Sequence, residues 1–545
     1  MILSGLAAAI ICGHVHAADE TRPALVSTAS VSDRLRVTTV EMSMPQRDDG
    51  RVPTPEESRN WFVWLAQRGF AVDRCGYQPA SGTFFIDIES DEAMQPLVDA
   101  GFQVVRRLEG APLEDAGRTQ SQYFDPDEIA AMLAQVAADH PAITRLFSVG
   151  TTAEGRTIWG IEISNNPGIA EDEPAIQFNA QHHAREVATS QVLMDVVETL
   201  TDGYGVDASI TAWVDGYKTI CVPMVNPDGV QFVFDTDSVW RKNRQFYPPS
   251  CTGVDLNRNY PYRWGPDRCG STTSCSGDLY KGPLEASENE TKSMIALADE
   301  FHFVMATSYH ASGQFIDYPY ACSNGSPSTM MPEHDIIHEM MNGVADAIDA
   351  VDSTPRYTVF SPASAGPLSG DDTSWYYAAQ GVYSFIIEVG TSFEPTFSLV
   401  AGIVNRNRAG WMYMYDRLDQ ARLDVHVTDG CTGSPLEAEI TLTDFVFDTG
   451  ESARSTFLPF GRWTFMVVAN DTYTVRISKP GYVTQDIPVA VGNVPVQIDV
   501  ALQPDSECSG IPATSSWGLT ILGLGILVAG TVLFGGHRRR KLSFT

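Results

Sequence analysis

Two histidines, an arginine and a glutamate crowd the stretch FNAQHHAREVAT at residues 178–189. His183 and Glu186 are three residues apart, so one turn of chain can direct both side chains to a single point. The apolar pattern AIQFNA ends just before them, and ligand sites of open α/β sheets collect beyond the carboxyl ends of strands. A zinc site needs at least one more protein ligand. The best candidate is His310, which ends the apolar stretch FHFVMATSYH; the alternative is a polar turn between a strand and a helix.

A second pair of histidines, His334 and His338, has the i, i+4 spacing that can bind zinc on a helix. The pair lacks the glutamate of an HExxH motif, and its segment has the pattern of an amphipathic surface helix. We therefore favour the set of His183, Glu186 and His310.

The elements that must position these residues alternate between strand and helix from about residue 124 to 418. A helix is predicted at 125–141 with Asp125 as its N-cap. Strands with almost no charge, as expected when both faces of a sheet are covered, are predicted at 175–181, 301–310 and 382–390. The alternation predicts an α/β domain whose mixed sheet has helices on both sides.

Two further regions flank this domain. Residues 34–109 have the pattern of a small α/β unit. Its predicted strands are RLRVTTVEM, SGTFFIDIES and FQVVRRLE, and its predicted helices are TPEESRNWFVWLAQRG and DEAMQPLVDAG. Short alternating strands are predicted at RLDVHVTD, EAEITLTDF, TYTVRISKPGY and VPVQIDVALQ, broken by Gly, Pro, Asn and Asp. They predict a small β-sandwich at about residues 422–503.

The charge and the two ends of the chain restrict the class of protein. A formal net charge of -32 argues against nucleic-acid binding, which needs basic patches, and favours an acidic exterior. Residues 1–18 have the pattern of a secretory signal. Residues 515–536 are apolar, long enough to cross a bilayer, and followed by a basic cluster that places the C-terminus in the cytoplasm. We expect an exported protein of the cell envelope, or a secreted one, with some of its nine cysteines paired.

The motif HHARE and those that follow it resemble the metallocarboxypeptidase family, the zinc carboxypeptidases related to the pancreatic A and B enzymes. The resemblance continues in family order through VPMVNPDG (222–229), VWRKNR (239–244), GVDLNRNYPYRWG (253–265), SYHASGQFIDYPY (308–320) and SFIIEVG (384–390). These motifs cover roughly residues 118–418. The resemblance therefore implies a catalytic zinc site.

Carried over position by position, the resemblance assigns the reacting groups. His183, Glu186 and His310 match the ligands of Zn2+. Glu388 matches the general base, which takes the proton of the attacking water and passes it to the leaving amine. Arg241 matches the arginine that polarises the scissile carbonyl, where fixed positive charge stabilises the developing oxyanion.

The resemblance also assigns the groups that bind substrate. Asn257 and Arg258 match the pair that holds the terminal carboxylate, for which the planar fork of an arginine is suited. Arg185 matches a residue that assists further along the cleft. Cys251 and Cys275 occupy positions that are paired in the family, so we predict a disulfide between them.

The specificity pocket is the least decisive part of the sequence. By resemblance, Thr373 stands where A-type enzymes carry an apolar residue and B-type enzymes an aspartate, and Asp371 lies two residues earlier. A carboxylate beside the pocket predicts removal of both apolar and basic end residues; alternatively, Asp371 and Asp372 face solvent or cap the following helix. The mobile tyrosine of the family is absent near Gly366, and Ser312 replaces another tyrosine.

Patterns and resemblance together predict an α/β fold, a carboxypeptidase-like mixed sheet of the eight-stranded type flanked by helices. The predicted segments are a signal peptide (1–18), a propeptide-like α/β domain (32–116), the catalytic domain (118–418), a transthyretin-like β-sandwich (422–503), a linker (504–514), a transmembrane or sorting segment (515–536) and a basic tail (537–545). The last segments resemble bacterial C-terminal sorting signals.

The expected function is that of an exported zinc carboxypeptidase, a monomer that acts on the C-termini of peptides or proteins and is held at a membrane by its C-terminal segment. One alternative is a zinc amidohydrolase acting on cell-wall peptides or N-acyl amino acids. The other is a catalytically inactive surface-binding module, which the intact set of reacting groups disfavours.

Overall fold

The computed structural model describes residues 38–506 apart from 69, 71, 89, 109, 111–112, 114–121, 266–271, 321–329, 354–355 and 361–368. All of these belong to one compact unit, Val37–Thr545. The predicted signal peptide, apolar span and basic tail lie outside the described residues. Within the described part, no helix is both long and apolar enough to cross a membrane.

The N-terminal domain, as we call residues 38–108, is an antiparallel four-stranded sheet with two helices. Its elements are β1 (Thr38–Ser43), α1 (Pro55–Gln67), β2 (Val72–Gln78), β3 (Thr83–Ile88), α2 (Asp91–Asp99) and β4 (Gln103–Arg107), with the strands in the order β2-β3-β1-β4. Helix α1 begins where Thr54 and Glu57 exchange backbone and side-chain hydrogen bonds, a capping box. Strand β2 was not expected from the sequence.

The central domain follows the predicted alternation. Its elements are α3 (Pro126–Asp139), β5 (Thr144–Thr151), β6 (Thr157–Ile163), β7 (Ala175–Ala180), α4 (Ala188–Gly203), α5 (Ala208–Gly216), β8 (Lys218–Val222), α6 (Pro227–Asp235), β9 (Phe246–Tyr247), β10 (Cys251–Thr252), a 3-10 helix (Leu256–Arg258), α7 (Asn289–Phe301), β11 (Phe303–His310), β12 (Phe315–Asp317), α8 (His334–Val351), β13 (Thr358–Phe360), α9 (Asp372–Gln380), β14 (Tyr383–Glu388) and α10 (Phe397–Leu418). Asp125 is the N-cap of α3, as predicted, and forms a capping box with Glu128.

The central sheet is mixed and eight-stranded, in the order β13-β12-β14-β11-β7-β8-β6-β5. Strands β14, β11, β7 and β8 run parallel. Every residue of these four strands is buried, which explains their continuous apolar sequences. The expected fold class is confirmed.

The C-terminal sandwich consists of two three-stranded sheets. Its strands are β15 (Arg422–Asp429), β16 (Glu439–Leu442), β17 (Arg462–Met466), β18 (Asp471–Ser478), β19 (Gln485–Val491) and β20 (Val496–Leu502), in the orders β17-β15-β20 and β16-β18-β19. Four of these strands coincide with predicted ones, whereas β17 and β19 were not expected.

Both flanking domains pack against the central one. Phe315 and Phe360, on the edge strands β12 and β13, belong to the apolar core of the N-terminal domain. On the other side, Met466 at the end of β17 belongs to the core of the central domain. The central domain therefore shares apolar packing with both flanking domains.

Candidate metal centre and active site

The predicted reacting groups meet beyond the carboxyl ends of three adjacent parallel strands. His183 and Glu186 lie in the loop between β7 and α4, whereas His310 ends β11 and Glu388 ends β14. His310 and Glu388 are direct partners in the β11–β14 register. Their position agrees with the rule that ligand sites collect at this edge of an α/β sheet.

The three predicted ligands form a compact, fully buried set. Nδ1 of His183 lies 2.7 Å from Oε1 of Glu186, and Nδ1 of His310 lies 3.0 Å from both Oε2 of Glu186 and Nδ1 of His183. Ligands on a tetrahedral zinc ion at its usual bond lengths are about 3.3 Å apart. The set therefore fits Zn2+ after slight separation of the side chains. Among the described residues, it is the only group of three or more such ligands that could hold a metal ion.

The outer nitrogens of both imidazoles have partners that orient the rings. Nε2 of His183 lies 3.2 Å from Oδ1 of Asp255, and Nε2 of His310 lies 3.1 Å from Oγ of Ser308. Burial and the positive charge of Arg241 lower the pKa of His183, so its imidazole is neutral, as a metal ligand must be. The rings are thus turned with Nδ1 toward the metal position.

Asp255 is a further candidate site residue that the sequence interpretation did not assign. Its Oδ2 accepts a hydrogen bond of 3.0 Å from Nε of Arg241, and its Oδ1 accepts one from the backbone N–H of Asn257. Burial acts to raise its pKa, but Arg241, Arg258 and His183 hold it well below the usual range. One carboxylate therefore contacts a predicted metal ligand and Arg241, and it lies near enough to Arg258 to be influenced by its charge. The available signal was its place in the motif GVDLNRNY.

The residues assigned to the substrate carboxylate lie on the 3-10 helix. Nδ2 of Asn257 is 3.3 Å from Nε2 of His310, and its Oδ1 accepts a hydrogen bond from the backbone N–H of Asp372. Arg258 is fully buried, and its Nη1 donates to the carbonyl of Asn257. Gly370 lies against this segment with φ +69°, and a Cβ there would approach the Arg258 carbonyl oxygen to 2.3 Å. The pair is thus beside the metal site.

The predicted pocket residues begin helix α9. Asp371 is its N-cap: Oδ1 accepts hydrogen bonds from the N–H of Ser374 and the hydroxyl of Thr373, both 2.8 Å. Asp371 and Asp372 are both buried, so neither faces solvent. Burial and the charge of Asp371 raise the pKa of Asp372 to about 7. The capping alternative holds for one oxygen of Asp371, while its Oδ2 has no hydrogen-bond partner among the described residues.

Arg185 is covered by the N-terminal domain. Its Nη1 donates to Oδ2 of Asp278 at 2.8 Å, and its guanidinium lies over the ring of Phe393. Asp278 in turn donates its backbone N–H to Oδ2 of Asp87 at 2.7 Å, and Phe85 contacts Phe393 with ring centroids 4.7 Å apart. The residue assigned to the outer cleft is thus fully buried beneath β3.

Two carboxyl groups face each other at this interface. Burial and the neighbouring charge of Asp278 raise the pKa of Asp87 to about 7, although Arg185 and the hydroxyl of Thr39 act in the opposite direction. At the end of β2, Nε2 of Gln78 is 3.4 Å from Oγ of Ser312, which replaces a tyrosine of the pancreatic enzymes. The N-terminal domain therefore touches the cleft at two points.

The predicted disulfide is present. Cys251 and Cys275 are joined, with their Cα atoms 5.5 Å apart, and enclose the segment that carries Asn257 and Arg258. Nζ of Lys242 donates to the carbonyl of Cys275 at 2.8 Å. This hydrogen bond connects the disulfide-closed loop, which carries Asn257 and Arg258, to Lys242, the residue next to Arg241.

The rival histidine pair has a different partner. His334 and His338 both lie within hydrogen-bonding distance of the Tyr318 hydroxyl, at 2.9 and 3.0 Å. They belong to no metal-binding group found among the described residues. The preference for the other set is supported.

A buried His, Glu, His set beside a buried glutamate, at the carboxyl edge of a mixed eight-stranded sheet, defines the architecture of a zinc-dependent hydrolase. The sequence model described as zinc carboxypeptidase matches residues 129–406, just over half of the 545-residue chain. The chain belongs to the zinc carboxypeptidase family.

Two relatives illustrate the extent of the similarity. A zinc carboxypeptidase of Saccharothrix mutabilis subsp. capreolus is 41% identical over 147 residues, 26% of this chain and 33% of the relative. A metallocarboxypeptidase A-like protein of Trichophyton verrucosum is 31% identical over 287 residues, 49% of this chain and 66% of the relative. The matches thus span from a third to just under two thirds of these relatives.

Solved structures support the fold. Thrombin activatable fibrinolysis inhibitor superposes with a TM-score of 0.55 at 19% identity, covering 70% of this chain and 98% of that one. Carboxypeptidase A of Helicoverpa armigera gives 0.55 at 20% identity, covering 70% and 96%. At these identities the likeness concerns the fold alone.

Proposed function

We propose that this protein is an exported zinc-dependent carboxypeptidase that hydrolyses the C-terminal peptide bond of peptides and proteins. The observation that carries the proposal is the juxtaposition of the buried set His183, Glu186 and His310 with Glu388 on the next strand. A buried glutamate at the end of an apolar strand that borders a metal site lies where a general base would act.

The proposed chemistry divides among a few groups. Bound Zn2+ supplies Lewis acidity and lowers the pKa of a coordinated water. Glu388 accepts the proton of the attacking water and delivers it to the leaving amine. Arg241, held by Asp255 through a 3.0 Å hydrogen bond, presents fixed positive charge to the oxyanion that develops on the scissile carbonyl. Because Asp255 fixes its direction, Arg241 needs little reorganisation during the reaction.

The binding groups support exopeptidase action. Asn257 and Arg258 lie beside the metal site on a short helix held by the disulfide, where they can take the carboxylate of the last residue. An endopeptidase has no use for such a carboxylate clamp. Discrimination by the pocket at Asp371 and Thr373 remains a prediction, with apolar and basic end residues both accepted.

We also propose that the N-terminal domain covers the outer part of the substrate cleft. Asp87 and Asp278 are connected through the backbone N–H of Asp278, and Asp278 binds the residue assigned to the outer cleft, Arg185. A long substrate needs that surface, so we propose that full activity on long peptides requires displacement of residues 38–108. Export, the membrane attachment of residues 515–536 and a monomeric state also stand as proposals.

Product analysis tests the function. The zinc-loaded protein is incubated with a peptide library, before and after treatment with a chelator, and products are identified by mass spectrometry. We expect successive loss of single C-terminal residues, abolished by the chelator and restored by zinc. Hydrolysis of N-acyl amino acids or cell-wall peptides without this pattern would favour the amidohydrolase. Binding of peptides without turnover, with zinc in place, would favour the surface-binding module.

A matched pair of substrates tests whether the N-terminal domain covers the outer cleft. Rates on a blocked dipeptide and on a long peptide are compared before and after cleavage of the chain between residues 109 and 121. We expect cleavage to raise the rate on the long peptide more than the rate on the dipeptide. An equal change in both rates would contradict a cover over the outer cleft.

A further inference from the structure

A cavity of about 340 Å³ lies between the central domain and the C-terminal sandwich. The start of β11 and the end of α9 line it on one side. On the other side, the lining includes Arg454 and the segment from Phe457 to Thr464, which runs into β17. None of these residues belongs to the metal centre or to the substrate groups described above.

Hydrogen-bond donors in the cavity lining lack acceptors. Nη1 of Arg454, both Nε and Nη1 of Arg462, and Nε1 of Trp463 are buried, and no described residue accepts a hydrogen bond from any of them. The two arginines are 7% and 4% exposed. Buried N–H groups in native proteins almost always have an acceptor, and an exception points to a water or an ion at the site.

Each of the two guanidinium groups lies beside a carboxylate of the central domain. Nη2 of Arg454 binds Oε2 of Glu333 at 2.5 Å, and its guanidinium lies over the ring of Phe447 at 4.6 Å. Nε of Arg462 forms an ion pair with Oδ1 of Asp172 at 3.3 Å, without a hydrogen bond. Each of the two arginines therefore has a carboxylate neighbour and still carries N–H groups without an acceptor.

A glycine at the end of α9 leaves room for these side chains. Gly381 has φ +69°, and a Cβ there would lie 2.8 Å from the ring of Trp463 and 3.0 Å from Nε of Arg454. These two side chains therefore meet at the same wall of the cavity. Among the described lining residues, Glu437 is the only carboxylate, and it is exposed.

We propose that this cavity binds a small oxyanion, a carboxylate or a phosphate group, through Arg454, Arg462 and Trp463. The planar guanidinium suits both groups, because each presents two or more oxygens to a fork of N–H donors. The net charge of -32 repels large polyanions more strongly than a small anion, and a small anion can enter this partly open cavity.

Occupancy would connect two domains. Arg454, Arg462 and Trp463 belong to the sandwich side of the chain, whereas Glu333 and Gly381 belong to the central domain. A ligand that binds only the assembled form stabilises it by a free energy that rises with the logarithm of the ligand concentration over its dissociation constant. The bound anion therefore stabilises the contact between the central domain and the sandwich, independently of any hydrolytic activity.

The test titrates the full chain with inorganic phosphate and, separately, with acetate, at ionic strength held constant with chloride. Binding is followed by calorimetry and by the unfolding temperature. We expect saturable binding of at least one anion, and the two titrations distinguish phosphate from carboxylate. Arg462→Gln should weaken it about 10- to 100-fold, as expected for a hydrogen bond to a charged group, and Trp463→Phe about 2- to 10-fold.

Two controls separate this site from others. Arg476→Gln removes an exposed arginine of the same sandwich and should leave binding unchanged. Arg258→Gln removes a guanidinium of the active site that can also meet anions, and the binding event at the cavity should persist in it.

Three results would overturn the proposal. The first is absence of saturable binding, which would mean that water fills the cavity. The second is an equal rise of unfolding temperature in wild type and Arg462→Gln, as general salt exclusion produces. The third is loss of all binding in Arg258→Gln. If Arg462→Gln does not fold, unchanged binding by Trp463→Phe decides against the proposal.

Discussion

Replacing Asp255 by asparagine should weaken zinc binding, although Asp255 is not itself a predicted ligand. Its Oδ1 lies 3.2 Å from Nε2 of His183, and its Oδ2 accepts a hydrogen bond of 3.0 Å from Nε of Arg241. The amide keeps the shape of the carboxylate and one acceptor oxygen. The substitution removes the negative charge and replaces one carboxylate oxygen by an NH2 group. That NH2 group then faces the nitrogen of either His183 or Arg241, which loses its hydrogen-bond acceptor.

The expected magnitude follows from these contacts. Loss of the group that orients a metal-binding histidine weakens metal affinity by about 10- to 100-fold, or about 1.4 to 2.7 kcal/mol. The buried charge of Arg241 also loses its counter-ion, and breaking such a pair costs about 3–5 kcal/mol of folding stability. Turnover should fall as well, because Arg241 is no longer fixed at the oxyanion position.

The assay is a competition for zinc between the protein and a chromophoric chelator at neutral pH, with denaturant unfolding of the metal-free protein alongside. Asp195→Asn is the matched control. Asp195 is also a buried aspartate paired with an arginine, Arg408, but it joins α4 to α10 and contacts no predicted ligand. It should lose stability without losing zinc affinity.

The reasoning is refuted if folded Asp255→Asn binds zinc as tightly as wild type. It also fails if Asp195→Asn weakens zinc binding by the same factor, because the effect would then follow general destabilisation. Agreement with the expected pattern would identify Asp255 as a residue that positions a ligand.

Four further outcomes are expected. Glu388→Gln should retain zinc, measured by elemental analysis, and lose about 10²–10⁴-fold in kcat; a rate within tenfold of wild type would reject its role. Joint replacement of Cys251 and Cys275 by serine should cost about 2–4 kcal/mol of unfolding free energy in denaturant, and no loss would contradict the stabilising role of the bond. The pKa of Asp87 is about 7 in the folded state and 3.8 ordinarily, so between these values the folded state retains a proton that the unfolded state has lost, and stability should fall as pH rises from about 4 to 7. Asp87→Asn should lack this fall. Unfolding temperatures that change with pH in the same way in wild type and Asp87→Asn would refute the prediction. Asp371→Asn should lower kcat/KM for peptides ending in Arg relative to Leu; an unchanged ratio would exclude the carboxylate from the pocket.

The agreement between sequence and structure is greatest where the chain is locally patterned. The strands that end at His310 and Glu388 were predictable because buried strands carry uninterrupted apolar residues, and a lone polar residue at such an end stands out. The start of α3 was predictable because Asp125 and Glu128 supply a capping box. In contrast, β17 contains Arg462, which is buried against another domain, so its sequence does not alternate as an isolated strand would.

Contacts between distant parts of the chain were the limit of the sequence interpretation. Asp255 appears as one polar residue in a polar motif, and its partners His183 and Arg241 are far from it along the chain. Their meeting depends on how several loops pack beyond the sheet edge. The same holds for Arg185, because a position in the cleft does not reveal that Asp278 and the N-terminal domain cover it.

By itself, the sequence determined the fold class and the family, and it nominated the candidate reacting groups by resemblance, because strand periodicity, capping and motif spacing are local properties of the chain. Only the tertiary structure decided which polar groups lie together: Asp255 with His183, and Asp278 with Arg185. It also decided which donors stay without an acceptor, those of Arg454 and Arg462 beside a common cavity. The physical reason is that hydrogen bonds act over about 3 Å. Such distances between residues far apart in sequence are set by the packing of whole elements, to which each residue contributes only a small part of the energy.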